Sequence, residues 1–218
     1  MHRTCRVPSC GAPTSSRYSP HCRRHKSTLR RHGGTTQTAV SKAELGPYVA
    51  RVTRRINRNP YSPLWSILDD AWGRAVADAR VTATSTIGNR YQRLAANEVL
   101  NLAADASPRE IGTTALAMFM LWHDRPTRFE SDRAFRHQLV RRVRSLSQRH
   151  VGIIFNHQTG TSRRSYREIS PKAAVVLAAT LTRCFGVAGL QLAELEERER
   201  AAAHQTAKAI AEAIKELT

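Results

Sequence analysis

Cys5, Cys10, Cys22 and His25 stand in the spacing C-x4-C-x11-C-x2-H, and a stretch built this way is narrowly restricted in what it can fold around. Three thiols and an imidazole are the soft and borderline donors that tetrahedral Zn²⁺ takes, and two close ligand pairs separated by a loop are how small structural zinc modules are made. Gly11, directly after Cys10, suits the tight turn of a ligating loop. A C-x2-H pair places Cys22 and His25 on one side of a first helical turn, so one ion would pin the start of a helix to the preceding loop. His21 and His32 are rival fourth ligands that spacing leaves open. Two disulfides are the competing use of four cysteines, but Cys184 lies alone in an apolar stretch, which fits a reducing compartment better.

The residues after the last ligand are strongly basic: Arg23, Arg24, Lys26, Arg30 and Arg31. The whole chain has 218 residues and a formal net charge of +18, which points to a polyanionic partner or an anionic surface. This charge is concentrated. Residues 1–58 carry 13 Lys/Arg against the single acid Glu44, and residues 125–168 carry 11 against three acids, while the remainder is nearly neutral. Two contact surfaces on a neutral scaffold are therefore expected.

The stretch from Cys5 to Gly33 resembles the short zinc-binding segment at or near the ends of many phage and mobile-element proteins, including some HNH-type homing endonucleases. The matching residues are Cys5, Cys10, Cys22, His25 and the basic run Arg30-Arg31-His32-Gly33. The resemblance covers about 30 residues and departs at Ser19-Pro20-His21, where the family has a Gly-Leu approach. It implies zinc and a role connected with DNA, and does not by itself imply an enzyme.

Beyond the module, predicted as residues 1–33, the polar and glycine-rich residues 34–40 read as a flexible linker. Residues 41–218 read as a helical domain. Ser41 and Glu44 form a capping box that starts a helix with Leu45, Val49, Val52 and Ile56 on one face and Arg51, Arg54, Arg55 and Arg58 largely on the other. Ser62-Pro63, Ser107-Pro108 and Ser170-Pro171 each carry an N-cap serine followed by proline at the first helical position. A further helix is expected from about Thr84 to Ala104. Ser131 caps a helix with Phe135, Leu139, Val143 and Leu146 toward a core and Arg133, His137, Arg141 and Arg144 on the opposite face.

A hairpin is expected over residues 151–169, with Arg163 and Arg164 near its tip. The fold class is thus mainly α, a zinc knuckle plus a helical domain with one short β-hairpin, and a winged helix-turn-helix is one layout of those parts. The Pro171 helix is apolar almost all round as far as Leu181, too short a run to span a bilayer. Past Gly186 and Gly189 an amphipathic tail follows, a place where two copies could pair.

The expected function is non-enzymatic binding of duplex DNA, as a regulator or accessory factor of a phage or mobile element. Phosphate contacts would come from Arg23, Arg24, Lys26, Arg30, Arg31, Arg51, Arg54, Arg55 and Arg58, and from Arg133, Arg141, Arg144, Arg163 and Arg164. The expected location is cytoplasmic, on the nucleoid if the source is bacterial. Two alternatives are weighed. One is RNA or ribonucleoprotein binding, disfavoured by an aromatic content of 6% with no stacking platform. The other is an HNH-like nuclease, for which only Asn156-His157 is suggestive; the His123-Asp124 pair lacks the further ligands that metal-dependent hydrolysis needs.

Overall fold

The computed structural model describes residues 3–216; the side chains of residues 151, 154, 163, 164, 165 and 216 lie outside that description. The elements, in order, are α1 (Arg23–His32), α2 (Lys42–Arg58), α3 (Pro63–Thr84), α4 (Arg90–Asp105), α5 (Pro108–Asp124), a 3-10 turn (Pro126–Arg128), α6 (Asp132–Arg144), β1 (Val151–Asn156), β2 (Thr161–Tyr166) and α7 (Pro171–Glu216). The protein is mainly helical, with one two-stranded antiparallel sheet.

Helix starts follow local chemistry. Ser41 accepts from the Glu44 N–H in a complete capping box, and Ser107 does the same with Glu110. Ser62 accepts from the Leu64 N–H and Ser170 from the Ala173 N–H. Each cap satisfies N–H groups that the first helical turn leaves without partners. The helix expected from Thr84 begins later, at Arg90, because Gly88 takes a φ of +119° and Asn89 forms its own capping box with Gln92. Ile87 is consequently an exposed loop residue instead of a core contact.

The core is organised around α5, where Ile111, Ala115, Ala117, Met118 and Leu121 are completely buried. It packs against α2, α6 and α7, while α3 and α4 pair beside it. Trp65 and Trp72 of α3 belong to this core, and the Trp122 and Phe135 rings stack at 4.4 Å.

Gly186 and Gly189 do not interrupt the last helix. Both lie against Phe119 of α5: a Cβ on Gly189 would lie 2.6 Å from the Phe119 Cβ. The helix therefore runs unbroken through the point where the apolar pattern changes. By length and composition α7 could cross a membrane, a property hidden when only its first apolar run is counted, yet half of its apolar window is buried inside the fold. Residues 197–215 are exposed throughout, a rod of about 28 Å at the helical rise. That tail is consistent with an accessible surface of 13993 Å², against about 10,000 Å² for a compact chain of this mass.

The hairpin differs from expectation in register. Its strands pair Ile153 with Arg164 and Ile154 with Arg163, so both arginines lie within β2 and not at the tip. Gly160, with a φ of +62°, closes the shorter turn.

Replacing Gly189 by Ala is expected to destabilise the protein by about 1–3 kcal/mol through overpacking against Phe119. Gly73→Ala in α3, where a Cβ meets nothing within 4 Å, should gain up to about 1 kcal/mol. Urea unfolding midpoints of the two variants check this pair of opposite signs.

Candidate metal centre and basic surfaces

Among the described residues 3–22 there is almost no apolar core: the buried side chains there are Cys5, Val7 and Cys22. Backbone hydrogen bonds fold the ligating loop, from Cys5 N–H to Ala12 C=O, Cys10 N–H to Val7 C=O and Arg6 N–H to Pro20 C=O. Ser9 and Gly11 take left-handed φ values of 60° and 57° around Cys10, which turns its thiol back toward Cys5. Cys22 is the N-cap of α1, and its sulfur accepts from the His25 N–H.

One ligand atom from each of Cys5, Cys10, Cys22 and His25 lies within 4.8 Å of the others. Both Cys5 Sγ and Cys22 Sγ are 3.4 Å from His25 Nδ1, and Cys10 Sγ is 3.8 Å from Cys22 Sγ. A tetrahedron with bonds of about 2.3 Å to sulfur and 2.0–2.1 Å to nitrogen has S···S edges of about 3.8 Å and S···N edges of about 3.6 Å. These three separations are close to the edge lengths that such an ion would impose. All four cysteines are free thiols, and 3.8 Å is far beyond a disulfide bond.

Ionisation of the thiols is uneven. Burial opposes the charged form of Cys5, but hydrogen bonds from the Cys22 and Val7 backbone, together with His25 and Cys10, bring it down to about 5. At Cys10 a backbone contact from Ala12 favours the thiolate, yet burial and the neighbouring Cys5 and Cys22 sulfurs push it up. Three sulfurs this close repel one another as anions, and a divalent cation reverses that repulsion.

Among the described residues this is the one group of three or more His, Cys, Asp or Glu side chains placed to share an ion. His21 stays outside it. His32 is engaged elsewhere, its Nδ1 3.2 Å from the Gln138 amide nitrogen. His123 and Asp124 pair instead with charged neighbours, Asp124 with Arg51 at 2.9 Å and His123 with Glu197 at 3.9 Å. Asn156 sits at the hairpin turn, where its side-chain oxygen accepts from the Gln158 N–H.

No residue of α1 is fully buried, so the helix is held chiefly by its ends. The cluster fixes the N-terminus. At the C-terminus Gly33 takes φ +83° and lies so close to α6 that a Cβ would be 2.7 Å from the Arg133 carbonyl oxygen. Residues 34–40, expected to be a flexible linker, are strapped down. The Glu130 carboxylate accepts from the backbone and hydroxyl groups of both Thr35 and Thr36, at 3.0–3.2 Å. Gln37 is buried and accepts from the Glu130 N–H, and the Val40 N–H donates to Gln138 Oε1. The polar residues that suggested flexibility are the donors that this docking uses.

The predicted contact arginines divide into distinct groups. Arg23, Arg24, Lys26, Arg30, Arg54, Arg58 and Arg133 are exposed, and Arg141 is half-buried without an acidic partner among the described residues. Arg31 binds Glu168 at 2.7 Å, Arg51 binds Asp124, and Arg55 binds Glu196 and Glu199. Arg144 corrects the sequence reading most sharply. It is 1% exposed, forks onto Glu98 at 2.8 and 3.1 Å, donates to the Arg167 carbonyl and lies under the Tyr166 ring. It holds the hairpin exit to the helical body, and its guanidinium is already paired with Glu98, so it is not a free surface cation. The Arg163 and Arg164 side chains fall outside the described residues. Arg136, exposed on α6, is a further free cation that the sequence reading passed over.

Comparison of the chain with protein-family models, with curated proteins and with solved structures finds no match. The class defined by fold and site is a helical protein with an N-terminal Cys3His cluster able to hold a metal ion.

Loaded with Co²⁺, the protein should show the intense visible bands of a tetrahedral thiolate site. His21→Ala and His32→Ala are expected to retain the spectrum. His25→Ala and Cys22→Ser should weaken metal binding by at least about tenfold, as measured by competition with a chromogenic chelator.

Proposed function

We propose that the chain is a zinc-stabilised nucleic-acid-binding protein, with duplex DNA its favoured target, acting as an accessory or regulatory factor rather than as an enzyme. The observation that carries this reading is the way α1 is mounted. It is clamped at both ends, by the Cys3His cluster and by Gly33 on α6, and Arg23, Arg24, Lys26 and Arg30 stand on it exposed. A helix so held keeps its cations in a fixed array with little left to order on binding. Zinc supplies no chemistry beyond this: bound by three thiolates and His25 Nδ1, it closes a loop that has too little apolar surface to close itself.

The winged helix-turn-helix weighed from the sequence would use α6 as its reading helix. In that helix His137, Gln138 and Arg144 are buried and Gly33 lies against its first turns, so the contact surface we infer is α1 with the exposed arginines of α2 and α6. The phage or mobile-element setting is part of the proposal and rests on the resemblance of residues 5–33. Pairing of two copies through the α7 tail is a separate part of the proposal and rests on the amphipathic pattern of that tail, on which Leu195 and Ile210 are exposed.

Neutralising about six to eight phosphates should give a slope of about −5 to −7 in log affinity against log salt, a loss of about three to four decades between 50 and 200 mM. Fluorescence anisotropy with duplex DNA, single-stranded DNA and structured RNA measures this. Tighter binding to RNA would move the target class, and a salt-insensitive signal, or none, would end the proposal.

A further inference from the structure

Where α1 meets α6, a small pocket opens between Arg30 and Arg31 of α1, His137 and Arg141 of α6, and Tyr166 and Glu168 at the hairpin exit. Its enclosed part is about 10 Å³, room for one water molecule or one ligand oxygen. Two buried polar atoms of residues lining this pocket have no partner, His137 Nε2 and the Tyr166 hydroxyl. His137 is only 4% exposed, and its other nitrogen, Nδ1, is already occupied, 3.0 Å from the Arg133 carbonyl. Burying polar atoms without partners is unfavourable, so each such atom calls for an explanation.

The charge around the pocket indicates what could supply a partner. Arg31 is balanced by Glu168 at 2.7 Å, but Arg30 and Arg141 have no acidic partner among the described residues. A water molecule in the pocket would leave both guanidiniums unbalanced. An oxyanion with several oxygens would satisfy all four groups, because arginine N–H groups and phosphate oxygens match in geometry as well as charge.

We propose that this pocket seats one phosphate group, with one oxygen entering toward Tyr166 and His137 and the others held at the mouth by Arg30 and Arg141. The Tyr166 O–H donates to the entering oxygen. His137 donates as well once a proton from solvent occupies Nε2. Without a ligand, burial and the charges of Arg133 and Arg141 hold that ring below its ordinary pKa; the phosphate charge opposes them. The charged or titratable groups around it are Arg30, Arg31 and His32 from α1, Glu168 and Tyr166 from the hairpin exit, and Arg133, Arg141 and Arg144 from α6. As the source of the phosphate we take the backbone of duplex DNA, which rests on the function proposed above. Arg30 and Arg31 reach the pocket from the metal-held helix, so the seat is complete only while the cluster is intact.

The test uses the full-length zinc-loaded protein. Inorganic phosphate is titrated against sodium chloride of equal ionic strength while the His137 ring and arginine side-chain NMR signals are followed. Phosphate, and not chloride, should shift the His137 ring toward the imidazolium pattern and saturate; Tyr166→Phe should weaken this about tenfold, and chelating the zinc should abolish it. Duplex DNA should produce the same His137 shift, and Arg141→Ala should bind duplex about tenfold more weakly with a salt slope shallower by about one. Shifts with inorganic phosphate but no duplex binding would keep the seat and remove the DNA reading. A His137 ring unmoved by either ligand, or Tyr166→Phe and Arg141→Ala variants that bind both ligands as the native chain does, would overturn the seat.

Discussion

The completely buried side-chain amide of Gln138 ties the end of α1 and the approach to α2 to the helical body. Gln138 on α6 is completely buried, and its hydrogen bonds all leave its own helix: Oε1 accepts from the Val40 N–H, and the amide nitrogen lies 3.2 and 3.4 Å from the Nδ1 and carbonyl oxygen of His32. A buried amide is costly unless its polar atoms are paired, so its partners have little freedom to leave. Burial and the Arg141 charge push His32 below its ordinary pKa, which favours the neutral ring able to accept at Nδ1. The end of α1 and the approach to α2 are thereby fixed on the same helix.

From that tie the rest follows. The cluster alone would fold a loop and the start of α1, leaving the helix to swing. Gln138, Gly33 and the Glu130 carboxylate set its direction, and the arginines of α1 then face solvent in a defined orientation. Glu130 shows how this is maintained: burial would raise its pKa, but the bonds from Thr35 and Thr36 outweigh burial and keep it charged. Several arginines elsewhere are structural. Arg55 and Arg51 bind α2 to the acidic residues of α7 and α5, and Arg144 secures the hairpin. The number of arginines therefore overstates the cations available to a partner, because several of them are paired with acids within the fold.

Much of this was legible in the sequence wherever the signal is local. Serine caps, the Ser-Pro starts and the four ligands depend on neighbours within a few residues, and the structure brings Cys5, Cys10, Cys22 and His25 together. What could not be read depends on distant partners. Arg144 looks like any other residue of a basic face until Glu98, 46 positions earlier, arrives beside it. Gly33 and Gly34 look like a linker because glycine is both the flexible residue and the one that permits close approach, and only the position of α6 decides between these. Gly186 and Gly189 present the same ambiguity, settled by Phe119. The register of β2 was misplaced because Arg163 and Arg164 read as turn residues, although a strand on an otherwise solvated hairpin carries arginine freely.

The claim on which this account turns is that metal-held α1 and the helical body form one docked unit. Amide hydrogen exchange of Thr35, Thr36 and Val40, with and without a strong zinc chelator, tests it directly. The account predicts protection of these three amides in the metal-loaded protein and faster exchange at Thr35 and Thr36 on chelation, while the amides of α5 are unchanged. Unprotected exchange of Thr36 and Val40 in the metal-loaded protein would contradict it, since residues 34–40 would then be a free tether and α1 would have no fixed direction.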